Sequence, residues 1–164
     1  ISIVKKLLGE FNLLHKIKIR LITNGSLMHQ ASVIKSVETL KEMNGEVWFK
    51  VDAATEESIK TINQVNLKPY QILERLKNSA NVCPTFVQTC IFNINGNGPS
   101  KKDINAYIEL INEVKSNIQG VHLYGLARPS LQPQAKNLGR IDEKVLQNIA
   151  KELRSLNITT TVSY

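Results

Sequence analysis

Apolar positions along the chain switch repeatedly between two periods, and the switches divide it into helices and strands. Ile3, Val4, Leu7, Leu8, Phe11 and Leu14 recur at helical spacing and predict an amphipathic helix over residues 2 to 15. Residues 17 to 23 are short and β-branched, close on Asn24-Gly25-Ser26, and predict a strand and turn; Val33, Ile34, Val37 and Leu40 then mark a second helix. Residues 47 to 53 read as the next strand, Thr55 as the N-cap of a short helix that starts with acids, and Pro69 as the first residue of a helix carrying Ile72, Leu73 and Leu76. The run from Thr85 to Ile94 predicts a third strand. After a loop with Gly96, Gly98 and Pro99, Ser100 and Asp103 form a capping pair ahead of a helix with Ile104, Ile108, Ile111 and Val114. A fourth strand over residues 120 to 126, a Pro-rich loop over 127 to 140, a helix over 142 to 156 and a fifth strand over 158 to 162 complete the chain.

This alternation over the whole length predicts an α/β fold with a parallel sheet of about five strands, in a single domain spanning residues 1 to 164. One parity of the strands is repeatedly polar. Lys18, Arg20 and Asn24 share a face, as do Trp48, Lys50 and Asp52, then Phe86, Gln88 and Cys90, then His122 and Tyr124. A sheet covered on both faces would be apolar on both. One wet or ligand-bearing face therefore predicts a partial, TIM-like (β/α) barrel, with an open sheet as the plainer alternative.

Composition narrows the picture only in part. At 164 residues with 42% hydrophobic and 21% charged residues, the chain suits a globular fold and not a disordered one. Its apolar runs are too short to span a membrane, and its first residue, Ile1, opens in mid-pattern, as a piece of a longer protein would. The net charge of +7 is compatible with RNA or another anionic partner, although the cations are scattered along helix faces. Cys83 and Cys90 fit no zinc template and suit a reducing, cytoplasmic setting. Cys90 reads as a buried thiol in a strand, and Cys83, ahead of a proline, as an exposed or capped one.

In parallel α/β sheets, ligands gather at the C-terminal ends of the strands. Those ends bring Asn24, Asp52, Gln88, Tyr124 and Arg128 into view. Each also has a plain structural explanation: Asn24 as a turn residue, Asp52 as a partner for Lys50, Gln88 as a solvated amide, Arg128 as a surface cation. Together, an amide, a carboxylate and a guanidinium suit a ligand with hydroxyls and both charges. No nucleophile triad is visible, and His122 reads as a packed or hydrogen-bonded histidine. The glycine loop has neither P-loop nor dinucleotide spacing.

Three segments carry a resemblance: Leu21-Ile22-Thr23-Asn24-Gly25-Ser26, Val47-Trp48-Phe49-Lys50-Val51-Asp52-Ala53, and His122-Leu123-Tyr124-Gly125-Leu126-Ala127-Arg128-Pro129. In order and spacing they resemble successive barrel strands of the radical SAM superfamily. The set is similar to the iron-sulfur oxidoreductase branch that includes the wyosine-type tRNA-modifying enzymes, whose Lys-x-Asp and Thr-x-Glu correspond to Lys50, Asp52, Thr55 and Glu57. The resemblance implies S-adenosylmethionine and a [4Fe–4S] cluster as cofactors, an external electron donor, and reductive cleavage to a 5'-deoxyadenosyl radical. It implies that Asn24 borders the methionine end of the cofactor, that Asp52 bonds ribose hydroxyls and that the backbone of Leu123, Tyr124 and Gly125 lies along the adenine. Gln88 and Arg128 are looser candidates. The cluster's CxxxCxxC loop and a Gly-Gly-Glu-Pro-like strand are absent from these residues, so the implied piece is the later part of a barrel, inactive alone, with no catalytic residue or cluster ligand assigned. Two other classes stay open: a cluster-free α/β ligand-binding domain, and a conventional barrel lyase or epimerase with Lys50 as Schiff base or general base. For the latter, an ion pair with Asp52 is the expected obstacle.

Overall fold

A computed structural model describes residues 1–128, 131 and 133–164, so three positions of the Pro-rich loop predicted over 127 to 140 lie outside the described residues. The chain opens with helix α1 (Ser2–Glu10), shorter than predicted, and enters strand β1 (Ile19–Thr23) through turns. Helix α2 (Ala31–Glu42) leads to β2 (Gly45–Lys50), the short α3 (Glu56–Ser58) with a π turn (Ile59–Asn63), α4 (Pro69–Val82) and β3 (Thr85–Cys90). Then come β4 (Phe92–Ile94), α5 (Lys101–Asn112), β5 (Gly120–Tyr124), β6 (Leu138–Arg140), α6 (Glu143–Ser155) and β7 (Thr160–Ser163).

The fold class is α/β: five parallel strands lie in the order β1-β2-β3-β5-β7, each joined to the next in the sheet through a helical segment. Local signals explain the elements. Ser100 and Asp103 cap each other at the start of α5, Pro69 occupies the first turn of α4, and Asp142 caps α6 by accepting from the Lys144 N–H. Thr55 caps α3 as predicted, accepting from the Ser58 N–H at 3.1 Å.

The predicted third strand is two strands. The ladder with β2 and β5 ends at Cys90, and residues 92–94 turn away to pair antiparallel with β6, Phe92 opposite Arg140. Strand limits also shift by a few residues: β2 starts at Gly45 and is left at Lys50, and β5 stops at Tyr124.

One face of the sheet carries the core. Val47, Phe49, Val87, Val121 and Leu123 are buried with Leu40 of α2, Leu76 of α4, Ile111 of α5, and Leu146 and Leu153 of α6. Cys83 belongs to this core and is not exposed: its thiol points at the Gly45 carbonyl at 3.6 Å, and burial raises its pKa to about 11. The chain leaves α4 extended at this residue, which turns the side chain inward under β2. The opposite strand parity is less buried, and its side chains form an open face.

Candidate functional site

The open face is organised in rows set by strand register. Trp48 pairs across to Phe86, Lys50 to Gln88, Gln88 to His122, and Cys90 to Tyr124. Below, the Glu46 carboxylate receives Arg20 Nε–H at 2.8 Å and Trp48 Nε1–H at 2.9 Å, with Lys18 Nζ 3.2 Å away. Burial pushes Glu46 upward, but those three donors outweigh it and hold the carboxyl below its ordinary range. His122 leans over the aromatic row, its ring 4.9 Å from Phe86 and 4.7 Å from Trp48, and Nδ1 meets Thr161 Oγ1 at 2.6 Å. It is the packed, hydrogen-bonded histidine expected, and burial lowers its pKa.

At the C-terminal ends of the strands lies a second network. Lys50 Nζ donates to the Tyr124 hydroxyl at 2.8 Å and sits 3.2 Å from Asp52 Oδ2, while Asp52 Oδ1 accepts the Cys90 N–H at 2.9 Å. Three adjacent strands are thus tied at one end by one carboxylate and one ammonium. Burial alone would lower the Lys50 pKa; Asp52 and Tyr124 reverse that and raise it. Cys90 is half-buried on this face, its thiol pushed up to about 11 by burial and then by Asp52, so it stays protonated at neutral pH.

The predicted site residues divide accordingly. Asp52 and Tyr124 meet through Lys50, and Gln88 stands in the same row. Asn24 does not join them: it follows the edge strand β1 and its Oδ1 accepts from its own turn at the Ser26 N–H. The Leu123 side chain points into the core, the Tyr124 carbonyl accepts from Ile91 N–H, and Gly125 N–H reaches Ser163 O, so that backbone is engaged in the sheet. Arg128 is exposed beyond β5, and Pro129, which follows it in the quoted segment, lies outside the described residues.

A cavity of about 500 Å³ opens beside Asp52 and Cys90, between the loop that follows β2 and the start of α5, and the sequence reading missed it. The capping pair Ser100 and Asp103 was the available signal. What local pattern does not reveal is that Thr55 Oγ1 donates to Asp103 Oδ1 at 2.8 Å and brings the two segments together.

Among the described residues, no group of three His, Cys, Asp or Glu side chains is placed to hold a metal. No helix among them is long and apolar enough to cross a membrane.

No family model matches the chain, and no curated protein matches it. Solved structures do. A domain of a pyruvate-formate lyase-activating enzyme from Bacteroides vulgatus is similar at a TM-score of 0.65 and 15% identity, over 96% of this chain and 93% of that one. A radical SAM methyltransferase from Sphaerobacter thermophilus gives 0.62 and 14%, over 89% of this chain and 40% of its own. SuiB from Streptococcus suis, bound to its precursor peptide SuiA, gives 0.65 and 14%, over 93% of this chain and 34% of its own. At such identity the likeness is one of fold, and the chain spans well under half the length of the latter two.

Proposed function

We propose that residues 1–164 act as one unit, the later strands of a radical SAM-type partial barrel, and that the strand ends around Asp52 bind S-adenosylmethionine. The observation that carries this reading is the Lys50–Asp52–Tyr124 network at the C-terminal ends of adjacent strands, on the residues that resemble the family's motifs. The fold shared with a radical SAM methyltransferase supports it.

The residues present fit the two implied cofactors unequally. Asp52 offers acceptor positions beyond those used by Cys90 and Lys50, as a ribose diol requires, and Tyr124 and Gln88 present polar groups nearby. The iron-sulfur cluster does not fit: Cys83 is buried in the core, and Cys90 has no second thiol beside it on the open face. We therefore assign these residues the binding of S-adenosylmethionine and not its reductive cleavage. S-adenosylmethionine, when bound, supplies the sulfonium on which the family's chemistry depends. Lys50 holds the Asp52 carboxylate in place through their ion pair, and Tyr124 fixes the Lys50 ammonium by accepting its hydrogen bond.

Kinship with the wyosine-type oxidoreductases rests on Lys50, Asp52, Thr55 and Glu57; Asn24, Arg128 and the backbone of Leu123, Tyr124 and Gly125 are secondary contacts. An RNA partner gains no support from the open face, where Lys18 and Arg20 are tied to Glu46. An electron donor belongs to the complete enzyme, and two free thiols suit the cytoplasm.

Calorimetric titration of the chain with S-adenosylmethionine tests the reading. Asp52→Asn is expected to weaken binding at least about tenfold, the scale of one charge-assisted hydrogen bond, with the circular dichroism spectrum unchanged. Gln88→Ala, which leaves the ion pair intact, is expected to weaken it less. Absence of binding, or equal affinity of native and Asp52→Asn proteins, refutes the assignment.

A further inference from the structure

The cavity beside Asp52 is a compartment of its own. Its inner wall is apolar, formed by Ile91, Tyr107, Ile104 and Ile149, and small residues, Ala53 and Ala54, leave the space open. At about 500 Å³ it matches a small-molecule site.

The charges around it are one-sided. Asp52, Glu57 and Asp103 line the cavity against Lys102, in a chain whose net charge is +7. At the end of α5 facing the cavity the capping pair takes two amides: Asp103 Oδ2 accepts the Ser100 N–H at 3.3 Å and Ser100 Oγ accepts the Asp103 N–H at 3.2 Å. The hydroxyls of Thr55, Ser58 and Ser100 are likewise engaged with one another and with Asp103. Among the described residues, the Glu57 carboxylate makes no hydrogen bond or ion pair of its own. It stands exposed at the rim, on α3.

We propose that this cavity binds a small amphipathic cation: an aliphatic or aromatic body seated against Tyr107 and Ile149, with an ammonium group held at the rim by Glu57. An unbalanced carboxylate at the mouth of an apolar pocket attracts an amine and repels the corresponding acid. Of the residues named for S-adenosylmethionine, only Asp52 borders this cavity, so the two readings stand or fall separately.

The test is methyl NMR of the chain titrated with 4-phenylbutylamine, 4-phenylbutanol and 4-phenylbutyrate. The amine is expected to shift the Ile91, Ile104 and Ile149 methyl signals saturably, the alcohol to bind about tenfold more weakly, and the acid to leave them unmoved. Glu57→Gln, at an exposed position, is expected to bring the amine down to the alcohol's affinity. Ala54→Leu, which fills the cavity, is expected to abolish binding of both. No saturable shift up to millimolar amine, equal affinity of amine and alcohol, or no effect of Glu57→Gln overturns the proposal. Loss of S-adenosylmethionine binding in Asp52→Asn with the amine still bound concerns only the earlier reading.

Discussion

Glu46 is the most committed charge on the open face, with its side chain only 9% exposed and three donors on two oxygens. Replacing it by alanine strips Trp48 Nε1 of its acceptor and leaves Lys18 and Arg20 facing each other, at a cost of about 2–3 kcal/mol, read as a lower urea midpoint. The pH dependence has a definite sign. The folded carboxyl titrates below its ordinary value of 4.5, so its stabilisation is complete above that value and is lost as pH falls through the folded pKa. Urea midpoints measured from pH 6 downward are therefore expected to fall more steeply for the native protein than for Glu46→Ala. Lys50 follows the same rule with the other charge: burial disfavours its ammonium, but Asp52 and Tyr124 outweigh burial and raise its pKa, so borohydride trapping with a carbonyl compound near neutral pH is expected to leave Lys50 unmodified in peptide mass spectra. A trapped adduct would revive the lyase reading. The Lys50–Asp52 pair was legible in the sequence because residues two apart on a strand share a face. The Glu46 cluster was not, because the sequence reading began the second strand at Val47 and left Glu46 outside it.

Elements were legible where a cap or a period announces them, and Ser100 with Asp103, Pro69, and Thr55 all mark true helix starts. The break at Ile91 had no such signal, since apolar residues continue through Ile94 and the partner strand β6 lies far along the chain. Turn chemistry is sharper. Gly25 has φ +66°, and a Cβ there would stand 2.0 Å from the buried Phe49 ring, so Gly25→Ala is expected to cost at least about 2 kcal/mol in chemical denaturation. The helix that precedes β1 shows what periodicity alone cannot settle. The spacing over residues 2 to 15 predicts an amphipathic helix, yet α1 has no buried residue, and Ile3 within it and Phe11 just beyond it are 73% and 70% exposed. Ile22 is also exposed, on the outer strand β1, so among the described residues this edge presents an apolar face.

At the scale of the whole molecule, strand parity separated a core face from a polar one before any contact was known, because a helix packed on one side of a parallel sheet leaves the other parity free to be wet. The site was only half legible on that basis: rows across strands follow from register, whereas the cavity depends on two loops meeting through Thr55 and Asp103. The same architecture bears on iron. Cluster ligands must be thiolates, but both thiols of this chain are pushed to about 11, one sealed under β2 and the other beside the Asp52 carboxylate. Anaerobic reconstitution of the chain with iron and sulfide is therefore expected to leave less than one cluster per chain after desalting, by iron and sulfide assay. S-adenosylmethionine binding should persist in the same sample, since Asp52, Lys50 and Tyr124 are positioned by the sheet and not by metal. A stable, stoichiometric cluster would require Cys83 to leave the core and give up its contact with the Gly45 carbonyl of β2, so that outcome would overturn this arrangement of the core.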